Sequence, residues 1–230
     1  LTGKLRSEHL LHLRCEVADP RMQDLFFPLS DTPALSLVSL MDHTPGQRQW
    51  RDTSSYRTYY SNIASWTDEE FEQVVERLQT ARDGCAEDNA ASVMAFCRER
   101  GLPMASHDDT LVEHVEEACN GIAISEFPTT MEAARHASEN GMLVLMGAPN
   151  VVRGGSHSGN ISALEIAQAG YLGSLLGLCA VSLLEAAFAL SEGGYMSLPA
   201  AVGLVTANPA EAGAVTDRGS LEVGRRADLV

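Results

Sequence analysis

The sequence predicts an α/β fold built on a parallel sheet, and three observations predict it. Short apolar runs of strand length alternate with longer segments of helical period. Helix-start signals, a Ser or Thr followed three residues later by Glu, fall between those runs: Thr67 with Glu70, Thr129 with Glu132, Ser162 with Glu165. Polar, Gly-rich and His-bearing residues collect where a strand would hand over to a helix, the edge at which α/β proteins bind ligands.

The elements follow in order. A first strand over residues 10–17 carries His12-Leu13-Arg14-Cys15-Glu16. A second, over 34–41, runs into Asp42-His43 and then into a polar, aromatic insertion at 48–62 with Trp50, Tyr56, Tyr59 and Tyr60. Long loops at that edge are usually lids or binding loops, and the insertion is expected to be one. Residues 66–100 exceed one ordinary crossover helix and carry Asp83-Gly84 in their middle, so two helices are predicted there. Strands over 102–106, 121–125 and 142–146 lead into Ser106-His107-Asp108-Asp109, Glu126-Phe127-Pro128 and the block 147–160. A degraded sixth unit lies at 171–180.

Strand, helix, strand, helix implies parallel pairing. A β/α barrel needs eight such units, so the chain reads as an incomplete barrel, with an open doubly wound sheet as the alternative. It begins at Leu1 without a Met and stops inside an apolar run, as expected of a piece of a longer protein. Residues 1–215 are assigned to the barrel portion, and residues 216–230 to the start of a C-terminal β segment.

Composition narrows the function. With 230 residues, 45% of them hydrophobic, the chain can bury a core. A net charge of −15 argues against nucleic acid or anionic membrane as partners, because phosphate binding needs clustered Lys and Arg. An anionic small molecule would need metal ions or locally placed arginines. Five cysteines without paired spacing, and no signal peptide, point to a reduced, cytoplasmic protein. Residues 166–184 imitate a membrane helix, but Gln168, Ser174 and Ser182 dilute the run and no basic or aromatic anchors flank it.

Glu16, His43 and His107 end successive strands, which would point all three into one mouth. Imidazole and carboxylate together suit Zn, Mn or Fe-type divalent ions, held as a pair. Taken singly, each residue also fits a hydrogen-bonded structural role. Asp108 and Asp109 are expected either to orient His107 or bind a second ion, or else to cap a helix ahead of Thr110. Arg153, Gly154, Gly155, Ser156, His157 and Asn160 form a loop of glycines, hydroxyls and cations before a helix start, the make-up of an anion cradle. Gln47 and Arg48 supply a second phosphate contact in this reading. No nucleophile elbow, Walker loop or dinucleotide fingerprint occurs.

These stretches resemble the ribosyl-phosphonate triphosphate diphosphatases of the carbon–phosphorus lyase pathway, within the amidohydrolase superfamily. The resemblance covers nearly the whole chain. It is densest at His12-Leu13-Arg14-Cys15-Glu16, the segment 41–49, Ser106-His107-Asp108-Asp109, Glu126-Phe127-Pro128-Thr129-Thr130 and residues 147–160. It implies a partial TIM-type β/α barrel, with the start of a small β domain at the C-terminus. It also implies two divalent metal ions with Glu16, His43 and His107 as ligands, and phosphate held by residues 153–160. The implied substrate is a phosphorylated ribosyl phosphonate, cleaved to the 5-phosphate and pyrophosphate.

The chain departs from the family twice. The family's opening His-containing metal motif lies upstream of Leu1. Its Ser-Ser-Asp-Tyr-(Tyr or Val)-Pro motif, whose Asp is the expected last ligand, is replaced by residues 173–181 ahead of an intact Ser182-Leu183-Leu184-Glu185-Ala186-Ala187-Phe188. A shifted reading frame across 175–180 restores the motif, so a local frameshift is expected and the chain as written is expected to be inactive. The alternatives are a remnant that only binds phosphate or a partner, and an amidohydrolase acting on C–N bonds. A homo-oligomer is left open.

Overall fold

A computed structural model of the chain describes residues 8–156, 159–177 and 180–226. Six strands form one sheet: β1 (Leu11–Glu16), β2 (Leu35–Met41), β3 (Met104–His107), β4 (Ile124–Glu126), β5 (Leu143–Gly147) and β6 (Ser174–Leu176). All five pairings are parallel, and the spatial order β1-β2-β3-β4-β5-β6 is the sequence order. A doubly wound sheet reverses its order at a switch point. This one never does, so every crossover advances the same way, as in a β/α barrel, and the doubly wound alternative falls. The strands are short, and every residue of β3 and β4 is buried, as in the middle of a parallel sheet covered on both faces.

The crossovers contain α1 (Met22–Ser30), α2 (Thr53–Tyr60), α3 (Asp68–Arg100), α4 (Val112–Ala118), α5 (Met131–Glu139), α6 (Ala148–Arg153) and α7 (Ala163–Gln168). After β6 come α8 (Ala180–Glu192), α9 (Leu198–Gly203) and α10 (Ala207–Ala212). The core lies between sheet and helices, with Val38, Val93, Val144, Ile166 and Leu190 fully buried.

Three local expectations are corrected. Residues 66–100 contain one helix of 33 residues, not two. A complete capping box between Thr67 and Glu70 starts it, left-handed Gly101 (φ 62°) stops it, and Gly84 sits on its exposed face, where a glycine weakens a helix without breaking it. The insertion after β2 is not an open loop: a 3-10 turn (Arg48–Trp50) leads into α2, whose N-cap Asp52 accepts the Ser54 N–H at 2.9 Å. Thr130, rather than Thr129, caps α5, because the Thr129 hydroxyl is spent on Thr110 at 2.8 Å. The described part of the tail, through Arg226, contains no strand, and residues 227–230 lie outside the described residues.

The box predicted between Ser162 and Glu165 does form. The apolar stretch 166–184 is divided among α7, β6 and α8, and no described helix is long and apolar enough to cross a membrane.

Candidate metal centre

Parallel register brings the functional strand ends to one edge. Glu16 pairs with Met41, His107 with Glu126, and Gly147 with Leu176. At the ends of β3 and β4 the chain turns through left-handed backbone at Asp108 and Phe127, both with φ 55°. Such angles are uncommon for residues with a Cβ. Here hydrogen bonds hold them: the Asp108 N–H donates to the Glu126 carbonyl and the Phe127 N–H to the Leu145 carbonyl, each at 2.8 Å.

That turn brings Asp108 to the two histidines. Asp108 Oδ2 lies 3.5 Å from His43 Nε2 and 3.6 Å from His107 Nε2, beyond hydrogen-bond length. One donor atom from each of the three residues falls within 4.8 Å of the others. Asp108 Oδ2 is buried and has no hydrogen-bond partner among the described residues. A buried carboxylate oxygen without a partner is costly. Two imidazole nitrogens and one carboxylate oxygen converging on one point are a donor set that fits Zn, Mn or Fe-type ions.

A buried network beneath orients the histidines. His107 Nδ1 meets Glu126 Oε2 at 3.1 Å, and Ser39 Oγ donates to the same oxygen at 2.8 Å. Ser39 Oγ in turn meets His12 Nε2 at 2.5 Å. Arg14 Nη2 lies 3.0 Å from His107 Nε2. A guanidinium only donates, so that nitrogen accepts and the His107 proton sits on Nδ1, facing Glu126. That tautomer makes Nε2 the acceptor nitrogen, engaged by Arg14 and 3.6 Å from Asp108 Oδ2. An ion held there would displace the Arg14 N–H, while Glu126 holds the ring from its other side as carboxylates hold metal-ligating histidines. Burial pushes the Glu126 pKa up, but hydrogen bonds from His107 and Ser39 outweigh it and hold the carboxyl below its usual range. Burial pulls the His12 pKa down, leaving it a neutral donor.

His43 is held differently. Its Nδ1 lies 2.6 Å from Glu16 Oε2, and its backbone N–H donates to Glu16 Oε1 at 3.0 Å. Burial lowers its pKa, yet Asp108 and Glu16 together override this and raise it to about 9. The cluster concentrates negative potential where a cation would sit. Both Glu16 carboxylate oxygens are hydrogen-bonded to His43, and the carboxylate oxygen within reach of both imidazole Nε2 atoms is that of Asp108.

Asp109 neither caps a helix nor touches an imidazole, so it neither orients His107 nor starts α4. It is fully buried and accepts from Ser106 Oγ at 2.5 Å, Ser125 Oγ at 2.7 Å and Arg48 Nη1 at 2.6 Å. Arg48 also donates to the His107 carbonyl at 3.0 Å, so its guanidinium points into the protein as a brace for the β3 turn. The residue at the N-cap of α4 is Leu111.

A cavity of about 490 Å³ opens above the cluster. Arg153, Asn150, Ser156 and Asn160 line it from the segments after β5, and Gln49, Trp50 and Tyr59 from the segment after β2; Gln47 is not in its wall. The glycine cradle is corrected. Gly154 is the left-handed C-cap of α6 (φ 77°), and its N–H and that of Gly155 donate back to the Val151 and Asn150 carbonyls, each at 3.0 Å. Those amides close a helix C-terminus and are spent. The next helix N-terminus, at Ser162, is occupied by Glu165. The polar side chains that face the cavity on this side are those of Arg153, Asn150, Ser156 and Asn160. His157 lies outside the described residues.

Residue-type reasoning left Glu126 and Arg14 without roles, although both stand in the singled-out stretches. The signal available was register: Glu126 ends the strand after His107, just as Glu16 ends the strand before His43.

Fold and site together define a class, β/α-barrel-type proteins that gather candidate metal-ligating side chains at the C-terminal ends of their strands. Within that class the chain is a homologue of the alpha-D-ribose 1-methylphosphonate 5-triphosphate diphosphatase of Escherichia coli (strain K12). It is 47% identical to that protein over 232 aligned positions, which cover 99% of this chain and 61% of the relative. The chain thus spans about three fifths of the curated relative's length. No family model matches the chain. Among solved structures, an uncharacterized metal-dependent hydrolase from Pyrococcus furiosus aligns with a TM-score of 0.48 and 15% identity, over 98% of this chain and 50% of that one. An amidohydrolase aligns with a TM-score of 0.46 and 13% identity, over 95% and 77%.

Proposed function

We propose that this chain carries the metal-binding strand ends of a hydrolase of phosphonate catabolism, one that cleaves α-D-ribose 1-methylphosphonate 5-triphosphate to the 5-phosphate and pyrophosphate. The observation that carries the reading is the partnerless, buried Asp108 Oδ2 facing two oriented imidazoles at the base of a cavity lined by Arg153. The homologue's named substrate supplies the chemistry. A cytoplasmic setting accords with the free thiols Cys15, Cys85, Cys97 and Cys119.

His43, His107 and Asp108 would hold the ion, and three protein donors with an open position are the make-up of a catalytic rather than a structural site. A divalent ion there supplies Lewis-acid charge that activates water and neutralises phosphoryl oxygens. Glu126 keeps the His107 proton on Nδ1, and Glu16 positions the His43 ring. Arg153 and Asn160 bind the phosphate chain, and the Arg14 guanidinium adds positive charge beside it. The second ion of the expected pair belongs to the proposal. Activity of these 230 residues on their own stands against the expectation of inactivity drawn from the upstream metal motif and the altered stretch 173–181, and the test decides between the two.

The test is phosphorus NMR of the Zn-, Mn- or Fe-loaded protein with the ribosyl triphosphate. Release of intact pyrophosphate, lost in Asp108→Asn, is the expected result. A folded, metal-loaded protein that releases none would overturn hydrolysis and leave a binding remnant. Turnover of a cyclic amide instead would assign C–N chemistry.

A further inference from the structure

Two described residues hold a buried side-chain polar atom with no hydrogen-bond partner among the described residues, and both line the same cavity: Asp108, through Oδ2, and Trp50, through Nε1. A metal ion accounts for the first. The second is a donor, so it calls for an acceptor that the described residues do not provide. Trp50 is only 5% exposed, and a buried indole N–H normally finds a partner.

Trp50 belongs to a built wall. Its ring meets Tyr59 at 5.1 Å between centroids and Tyr56 at 5.6 Å, and Tyr56 meets Tyr60 at 4.5 Å. The 3-10 turn that carries Trp50 begins at Arg48, whose guanidinium is anchored on buried Asp109. The wall follows β2, whereas Arg153 and Asn160 follow β5, with β3 and β4 between. The aromatic and cationic residues therefore flank the cluster that follows β2 and β3.

A phosphate chain suits the Arg153 side and gains nothing from a flat apolar ring. A sugar ring suits the other: its C–H face packs on the half-exposed Tyr59 ring that covers the indole, and its hydroxyl or ring oxygen accepts the one N–H once the Trp50 edge turns toward the cavity. We propose that Trp50, backed by Tyr59, is the specificity-determining contact for the sugar ring of a phosphorylated substrate. This rests on the hydrolase reading above and names the part of the site that separates a ribosyl triphosphate from a bare polyphosphate.

The experiment compares kcat/KM for ribose 5-triphosphate and for inorganic tripolyphosphate, in the metal-loaded wild type and in Trp50→Phe, which keeps an aromatic ring and deletes the donor. The preference for the sugar-bearing substrate should fall about tenfold, as the loss of one hydrogen bond predicts. An unchanged preference, with both substrates affected alike or not at all, would overturn the proposal.

Failure of the hydrolase reading is told apart by binding. The chain has two tryptophans, so Trp66→Phe leaves Trp50 as the sole indole. Its emission should shift on adding ribose 5-triphosphate and not on adding tripolyphosphate, whether or not either is cleaved. Equal responses, or none, would overturn the sugar contact independently of turnover.

Discussion

The floor of the cavity and its rim are built by opposite means. In the floor, Ser39, Ser106, Asp109, Ser125, Glu126 and His107 are all buried, and each is hydrogen-bonded to another member or to Arg48. At the rim, Arg153 is exposed and Ser156 and Asn160 are half-buried. They stand beside helices of six residues, and the intervening glycine amides serve helix termination. The contrast teaches where precision is needed. Ligand atoms must be placed to fractions of an ångström, which takes locked side chains beneath them, whereas a flexible polyphosphate is served by adaptable polar side chains on loops.

The sharpest way to break this contrast is Asp109→Ala. It leaves the Arg48 guanidinium without its carboxylate partner and strips two serine hydroxyls of their acceptor. Removing one partner of a buried pair costs about 3–5 kcal/mol, so urea unfolding should show that loss. Asp108, the adjacent residue, should behave oppositely. Asp108→Asn removes an oxygen that has no partner among the described residues, so stability holds while metal affinity collapses. If both variants unfolded alike, floor and cluster would not be separate structures.

Glu126→Gln probes the link between them. The amide keeps the volume but no longer offers a carboxylate to His107 and Ser39, so metal affinity should drop about 10–100-fold by calorimetric titration. The same variant should leave rim chemistry intact, with Trp50 still reporting a bound sugar phosphate. A Glu126→Gln protein with wild-type metal affinity would mean that the network serves folding alone.

The same contrast decides what could be read from residues. Strands were legible because short apolar runs alternate with segments of helical period, and His43 and His107 because imidazoles recur at successive strand ends, where their rings lie 5.3 Å apart. The floor was not. Ser39 and Glu126 lie 87 residues apart and meet only through register, and a serine inside a strand carries no signal of its own. The rim misled in the other direction. Gly154 and Gly155 have the composition of a phosphate loop, but composition does not say whether an amide faces outward or closes the helix before it. Gly84 misled similarly, since a glycine ends a helix only where packing does not carry the helix through it.

Rim elements should be cheap to perturb. Ser162 caps α7 through the Glu165 N–H at 3.1 Å, and its replacement by Ala should cost about 1 kcal/mol of stability without changing metal affinity. A metal response to Ser162→Ala would extend the floor further out than the burial pattern places it.

The smallest effect supplies the baseline for the rest. Gly84 lies on the exposed face of α3, and a Cβ built there meets nothing within 4 Å. Alanine fits the helix without a clash and reduces the freedom of the unfolded chain, so Gly84→Ala should stabilise by about 0.5–1 kcal/mol. Neither metal affinity nor sugar preference should move, because the position belongs to neither floor nor rim. Equal or lower stability on thermal unfolding would mean that α3 is interrupted at Asp83-Gly84 in solution. It would then be the pair of helices that the local sequence favours, and the packing of Phe71 at one end and Val93 at the other would no longer be transmitted along one rigid rod.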